Sequence, residues 1–181
     1  MDAIDFKLIS LKGRMCYAIS CFENVIIELG CNAEDWKIVL NYMWSFTDIE
    51  YLDDWNEIMA EILPEDLLEF KSFEEHDYEW ISEEEFLHLY KLYINLDARI
   101  ETLFSMVYCL GISHAYSAIT NYGQRSLDEI NKIIDFMTSN KFTLPEIESF
   151  QKYSIEESQG WGNRFNGKVL SKILNIQDVN F

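Results

Sequence analysis

Apolar residues recur along this chain at the three- and four-residue spacing of helices, and sustained strand-like alternation is missing. The pattern predicts an all-α fold, a single domain over residues 1–181 built as a compact bundle of about seven to nine helices. Helices are expected near residues 12–29, 33–45, 48–62, 64–72, 83–110, 112–121, 127–139, 145–153 and 167–174. Several begin at recognisable caps. Asn32-Ala-Glu-Asp precedes a run with Trp36, Val39, Leu40 and Met43. Thr47-Asp-Ile-Glu, Ser82-Glu-Glu-Glu and Ser126-Leu-Asp-Glu read as capping boxes, in which hydroxyl and carboxylate each take a free backbone N–H. Pro64 suits a first helical turn, and Thr143-Leu-Pro-Glu opens another short helix. Gly30 is expected to end the first helix and Gly111 to break or bend the central one. Thr102–Gln124 holds no Asp, Glu, Lys or Arg. Gly111 and several polar residues, His114 among them, interrupt it, so it predicts a central buried helix or helix pair and no membrane span.

Residues 48–62 carry the strongest pattern. On a helical wheel Glu50, Asp54, Glu57 and Glu61 share one stripe, with Asp53 at its edge. Tyr51, Leu52, Trp55, Ile58, Met59 and Ile62 cover the other side. Like charges one turn apart cost about 0.2–0.5 kcal/mol per pair. A face meant only for water usually mixes in lysines, and this one does not. A basic partner would relieve the repulsion; the competing reading is a solvated face. Downstream, SFEEHDYEWISEEEF interleaves Phe73, Tyr78 and Trp80 with acids and reads as a loop between helices. The expected partner surface combines Glu50, Asp53, Asp54, Glu57 and Glu61 with Asp77, Tyr78, Glu79, Trp80 and Glu83. Acids steer an encounter, and a buried aromatic anchor supplies affinity.

Charge sharpens this picture. The net charge is -18, and the segment Asp48–Glu85 holds sixteen Asp and Glu against one base, Lys71. From Lys141 onward acids and bases balance, so the acidity belongs to one region. It argues against direct binding of nucleic acid or an anionic membrane. Cys16, Cys21, Cys31 and Cys109 form no C-x-x-C pair and are expected as buried, reduced thiols of a cytoplasmic protein. MDAIDFKLIS lacks the basic start and apolar core of a secretory signal.

Three patterns resemble sites of chemistry. Asp53-Asp54-x-x-Glu57 resembles the first aspartate-rich motif of helical isoprenoid synthases, but the second motif and the bases for a diphosphate are missing. Glu57 and Glu61, facing Glu83, Glu84 and Glu85, resemble the magnesium set of helical nucleotide pyrophosphohydrolases, again without the bases. Glu85-x-x-His88 has di-iron spacing but occurs once, and His88 is expected to pair with Glu84. His114 is expected as a satisfied core histidine. No nucleophile elbow, P-loop or dinucleotide glycine pattern occurs. The sequence therefore supplies no catalytic, cofactor-binding or metal-ligating set. In GWGNRFNGKVLSKIL (160–174), Trp161 and Phe165 are expected to pack and Arg164 to meet a carboxylate.

Four segments together carry a resemblance: GRMCYAISCFENVIIELG, the Trp36 helix running to WSFT at Trp44–Thr47, LDDW, and GWG around Trp161. The chain resembles the all-helical immunity proteins of bacterial polymorphic-toxin and contact-dependent inhibition systems. The resemblance implies a small cytoplasmic antitoxin, encoded with its toxin, that covers the active site or substrate surface of a cognate toxin domain. Many such toxins are nucleases with basic clefts, to which the acidic face would be complementary. No family residue transfers by position. The alternatives are a Mg²⁺-dependent helical phosphohydrolase and an acidic nucleic-acid mimic.

Overall fold

The computed structural model describes residues 6–175. Seven α-helices follow one another among these: α1 Leu11–Glu28, α2 Lys37–Ser45, α3 Leu52–Ile62, α4 Pro64–Leu67, α5 Glu83–Tyr93, α6 Ala98–Ile112 and α7 Gln124–Ser139. Short 3-10 turns lie at Ala33–Trp36, Phe73–Glu75, Ile147–Phe150, Glu157–Gly160 and Gly167–Leu170. The described residues contain no strand, only one isolated antiparallel bridge between Ile9 and Ser154. The all-α class expected from the periodicity is correct.

Helix α1 forms the centre. Ser10 caps it by accepting the Gly13 N–H, and every residue from Leu11 to Ile26 is buried. It packs on α2, α6, α7 and the Ile147–Phe150 turn. Phe22 meets the rings of Trp36 and Phe104 at 5.5 and 5.6 Å, and Tyr17 meets Phe6 and Phe150 at 4.8 and 5.5 Å. Burying a large apolar side chain contributes about 1.5–3 kcal/mol.

This overturns the expectation that Thr102–Gln124 would be the central element. Helix α6 flanks α1, and residues 113–123 are turns and irregular chain. The cause lies in the polar residues of α1, which read as surface residues but point inward to irregular backbone. Lys12 Nζ donates to the Phe46 carbonyl at 3.2 Å. The Arg14 guanidinium donates to the carbonyls of Phe6, Tyr122 and Gly123 and to Ser126 Oγ. Glu23 accepts from Trp44 Nε1 at 2.9 Å, from the Lys172 N–H at 2.7 Å, and from Ser171 Oγ. Asn24 donates to the Thr143 carbonyl at 2.8 Å. Buried polar groups need partners, and these supply them to chain that no helix could satisfy. Burial pushes the Glu23 carboxyl up and draws Arg14 down to about 10.

Other boundaries moved for local reasons. The expected helix 83–110 is two helices, because Asp97 caps a new one: its carboxylate accepts the Arg99 N–H at 2.9 Å and holds the Arg99 guanidinium. Helix α6 runs through Gly111 and ends one residue later, at Ile112. A Cβ on Gly111 would lie 2.4 Å from the Trp55 ring, so glycine lets α6 and α3 meet closely. Ser126 does not cap α7; the helix starts after Gly123, at φ 69°, and Ser126 turns inward to Arg14. Thr47 caps no helix either. Its hydroxyl accepts the Gly167 N–H at 2.9 Å, and Phe165 N–H reaches the Thr47 carbonyl, fastening the late segment to the end of α2. The expected helices 145–153 and 167–174 shrink to 3-10 turns. Of the cysteines, Cys16 and Cys21 are buried, Cys31 is half-buried and Cys109 is exposed; all four are free thiols.

Candidate functional site

Helix α3 begins at Leu52, four residues later than expected, so Asp53 and Asp54 occupy its first turn beside the positive end of the helix dipole. Its apolar side is anchored by Trp55, fully buried, whose Nε1 donates to the Tyr42 carbonyl at 3.1 Å. The Trp55 ring meets Phe46 edge-on at 4.9 Å and stacks near Tyr108 at 6.1 Å. Ile58, Met59 and Ile62 complete the buried face. That packing aims Asp53 and Glu57 into solvent and leaves Asp54 half-buried.

The five-carboxylate stripe does not survive intact. Glu50 lies outside the helix, and its carboxylate sits 3.6 Å from Arg164, as does that of Asp48. Arg164 thus meets carboxylates as expected. Glu61 has the opposite role from a free ladder rung. Its two oxygens accept the backbone N–H groups of Glu79, Trp80 and Ile81 at 2.7, 3.0 and 3.1 Å. The irregular chain before α5 has no helical partners for those donors, and Glu61 supplies them.

That tether places the second acidic segment beside the first. Asp77, Glu79 and Glu83 are exposed, and Trp80 shows 38% of its surface. Tyr78 is different. Its ring stacks on Phe73 at 5.1 Å and packs on Phe86 at 5.3 Å, and its hydroxyl is buried with no hydrogen-bond partner. It belongs to the core edge, where its ring lines a cavity rather than standing out as an exposed anchor. The capping box at Ser82 forms as expected: Ser82 Oγ accepts the Glu85 N–H and Glu85 accepts the Ser82 N–H. Glu85 also receives Tyr42 Oη at 3.1 Å.

Sequence reasoning missed Tyr116. It is 91% exposed, stands at φ 57°, and lies near Asp53 and Glu57 of α3. The carboxylate of Asp53, with that of Glu57, holds the phenol above its usual range. With Tyr51, also exposed, it flanks the outward carboxylates of α3 with aromatic surface. No periodicity reveals this pairing, because Tyr116 lies in a turn and reaches α3 only through the tertiary fold.

Between the end of α3, α4 and the following loop lies an open cavity of about 280 Å³. Its walls combine the rings of Phe70, His76 and Tyr78 with the carboxylates of Asp66 and Glu69. Partial burial, with Glu65 and Glu69 close by, pushes the Asp66 carboxyl up. Acid crowding here is therefore a physical cost in the free protein.

The suspected metal spacings come apart. His88 Nε2 lies 2.8 Å from the Asp35 carbonyl rather than against Glu84, while Glu85 is spent on Ser82 and Tyr42. Among the described residues no three His, Cys, Asp or Glu side chains group to hold a metal ion. His114 is buried with Ser126 Oγ 3.1 Å from Nε2, the core histidine anticipated. No helix among the described residues is long and apolar enough to cross a membrane. No protein-family model, curated protein or solved structure matches this chain.

Proposed function

We propose that this chain is an immunity protein that binds and neutralises a cognate toxin domain with a basic surface, acting in the cytoplasm by occupation rather than catalysis. The observation that carries the reading is the exposed ring of Tyr116 near α3, whose Asp53 and Glu57 face solvent. Exposed aromatics beside unpaired acids make a surface with both parts of a tight, charge-steered interface. Trp80, Asp77 and Glu79 extend it along the loop that Glu61 holds. The cavity beside Asp66 and Glu69 has the chemistry to receive a lysine or arginine side chain, which would relieve the crowding of its acids.

In this reading the acidic face competes with the toxin's own polyanionic substrate and needs no nucleic acid, membrane or cofactor. The test is binding to the toxin domain encoded beside this chain. Asp53→Asn with Glu57→Gln lowers the association rate and its salt dependence, and Tyr116→Ala speeds dissociation. Binding that ignores all three substitutions removes α3 from the interface.

A further inference from the structure

Lys12 stands apart from the acidic face. It opens α1 with only 7% of its surface exposed. Its ammonium has three donors, and the Phe46 carbonyl at 3.2 Å accepts one. The Phe46 ring lies 5.2 Å away. Beside it is a cavity of about 210 Å³, lined by Lys12, Phe46, Ile49, Glu50, Leu52 and Trp161. That is far above the ~10–15 Å³ that holds one water. The walls are mostly apolar. The charged and titratable groups that face the amine are Arg164, Asp48 and the neutral Cys16 thiol, with Glu50 on the cavity wall. Asp48 and Glu50 are drawn to Arg164 rather than to Lys12. A buried amine without a close carboxylate loses its proton readily. Burial, reinforced by Arg164, draws Lys12 down to about 8.

We propose that this cavity is a carbonyl-capture site, in which the Lys12 ε-amine condenses reversibly with a small aldehyde of apolar body. The Nζ lone pair forms the new C–N bond. The carbonyl oxygen takes both amine hydrogens and leaves as water, and a C=N bond remains; water reverses the step. Phe46, Ile49, Leu52 and Trp161 shelter the apolar body. Once protonated, the imine keeps its N–H on the Phe46 carbonyl and its charge beside the Phe46 ring. Nucleophilic lysines elsewhere are activated in the same way, by an apolar pocket and a neighbouring cation.

The experiment treats the folded chain with benzaldehyde and cyanoborohydride, which fixes any imine as a secondary amine, and maps the product by peptide mass spectrometry. Near pH 7, Lys12 is labelled at least about tenfold faster than each exposed lysine, whose unperturbed pKa is about 10.4. Its labelling rises with a midpoint near pH 8. The chain's α-amine, which titrates at about 7.7–8.0, serves as the internal reference. Lys12→Arg loses this label and leaves the others unchanged. No label at Lys12, label rising only above about pH 10, or faster labelling of exposed lysines overturns the proposal. The wild-type map decides without any variant.

Discussion

Glu61 Oε2 accepts the backbone N–H of Trp80 at 3.0 Å, and its two oxygens also take the neighbouring N–H groups of Glu79 and Ile81. A carboxylate that looks like one rung of an acidic ladder is instead the clasp between α3 and the loop leading into α5. Among the described residues the other acids of α3 make no such bonds to backbone, so substitutions along one helix separate into two classes.

Glu61→Ala is expected to cost about 1–3 kcal/mol, because three backbone donors lose a charged acceptor. Glu57→Gln is expected to leave stability unchanged or slightly raised, because it removes only repulsion. Urea midpoints of the two variants check this. Equal midpoints would show that the clasp is not needed.

Gly111→Ala places a Cβ 2.4 Å from the Trp55 ring, inside the contact between α6 and α3. Overpacking of this kind costs about 1–3 kcal/mol. The tryptophan fluorescence spectrum should shift along with the fall in midpoint. An unperturbed spectrum and midpoint would place Trp55 elsewhere.

Lys12→Met tests a buried cation through pH. Below about pH 8 both folded and unfolded states hold the Lys12 proton, and the folded state carries the burial penalty. Between about 8 and the unperturbed value near 10.4, the unfolded state binds the extra proton, so this residue makes stability rise with pH. Cys16 and Cys21, pushed up by burial, pull the other way. The difference between wild type and variant isolates Lys12. The variant is expected to be equally stable or up to about 3 kcal/mol more stable at pH 7, with the gap narrowing above pH 8. Parallel stability curves would contradict this.

The fold class was legible because it depends on local periodicity, and so was the Ser82 capping box, which needs only residues three apart. Tertiary partners decided the rest. Thr47 and Ser126 both look like caps, yet Gly167 and Arg14 claim their hydroxyls. Arg14 and Glu23 look like surface charges, yet distant backbone draws them inward. The apolar run through Tyr93 and Leu96 hid the cap at Asp97. In the candidate site, the outward placement of Asp53 and Glu57 was legible because an amphipathic helix shows its polar face in sequence. The place of Tyr116 was not, since nothing near it in the chain signals its nearness to Asp53. Glu61 was misassigned because the same letter serves a solvated rung and a backbone acceptor.

The central claim is that Asp53, Glu57 and Tyr116 form a face that meets a basic toxin domain. Association kinetics with the neighbouring-gene toxin domain, at two salt concentrations, test it most directly. In Asp53→Asn/Glu57→Gln the association rate is predicted to fall about fivefold to tenfold at low salt, with a shallower salt slope. Tyr116→Ala is predicted to raise the dissociation rate. An unchanged rate and salt slope in the first variant, together with unchanged dissociation in the second, would contradict the account.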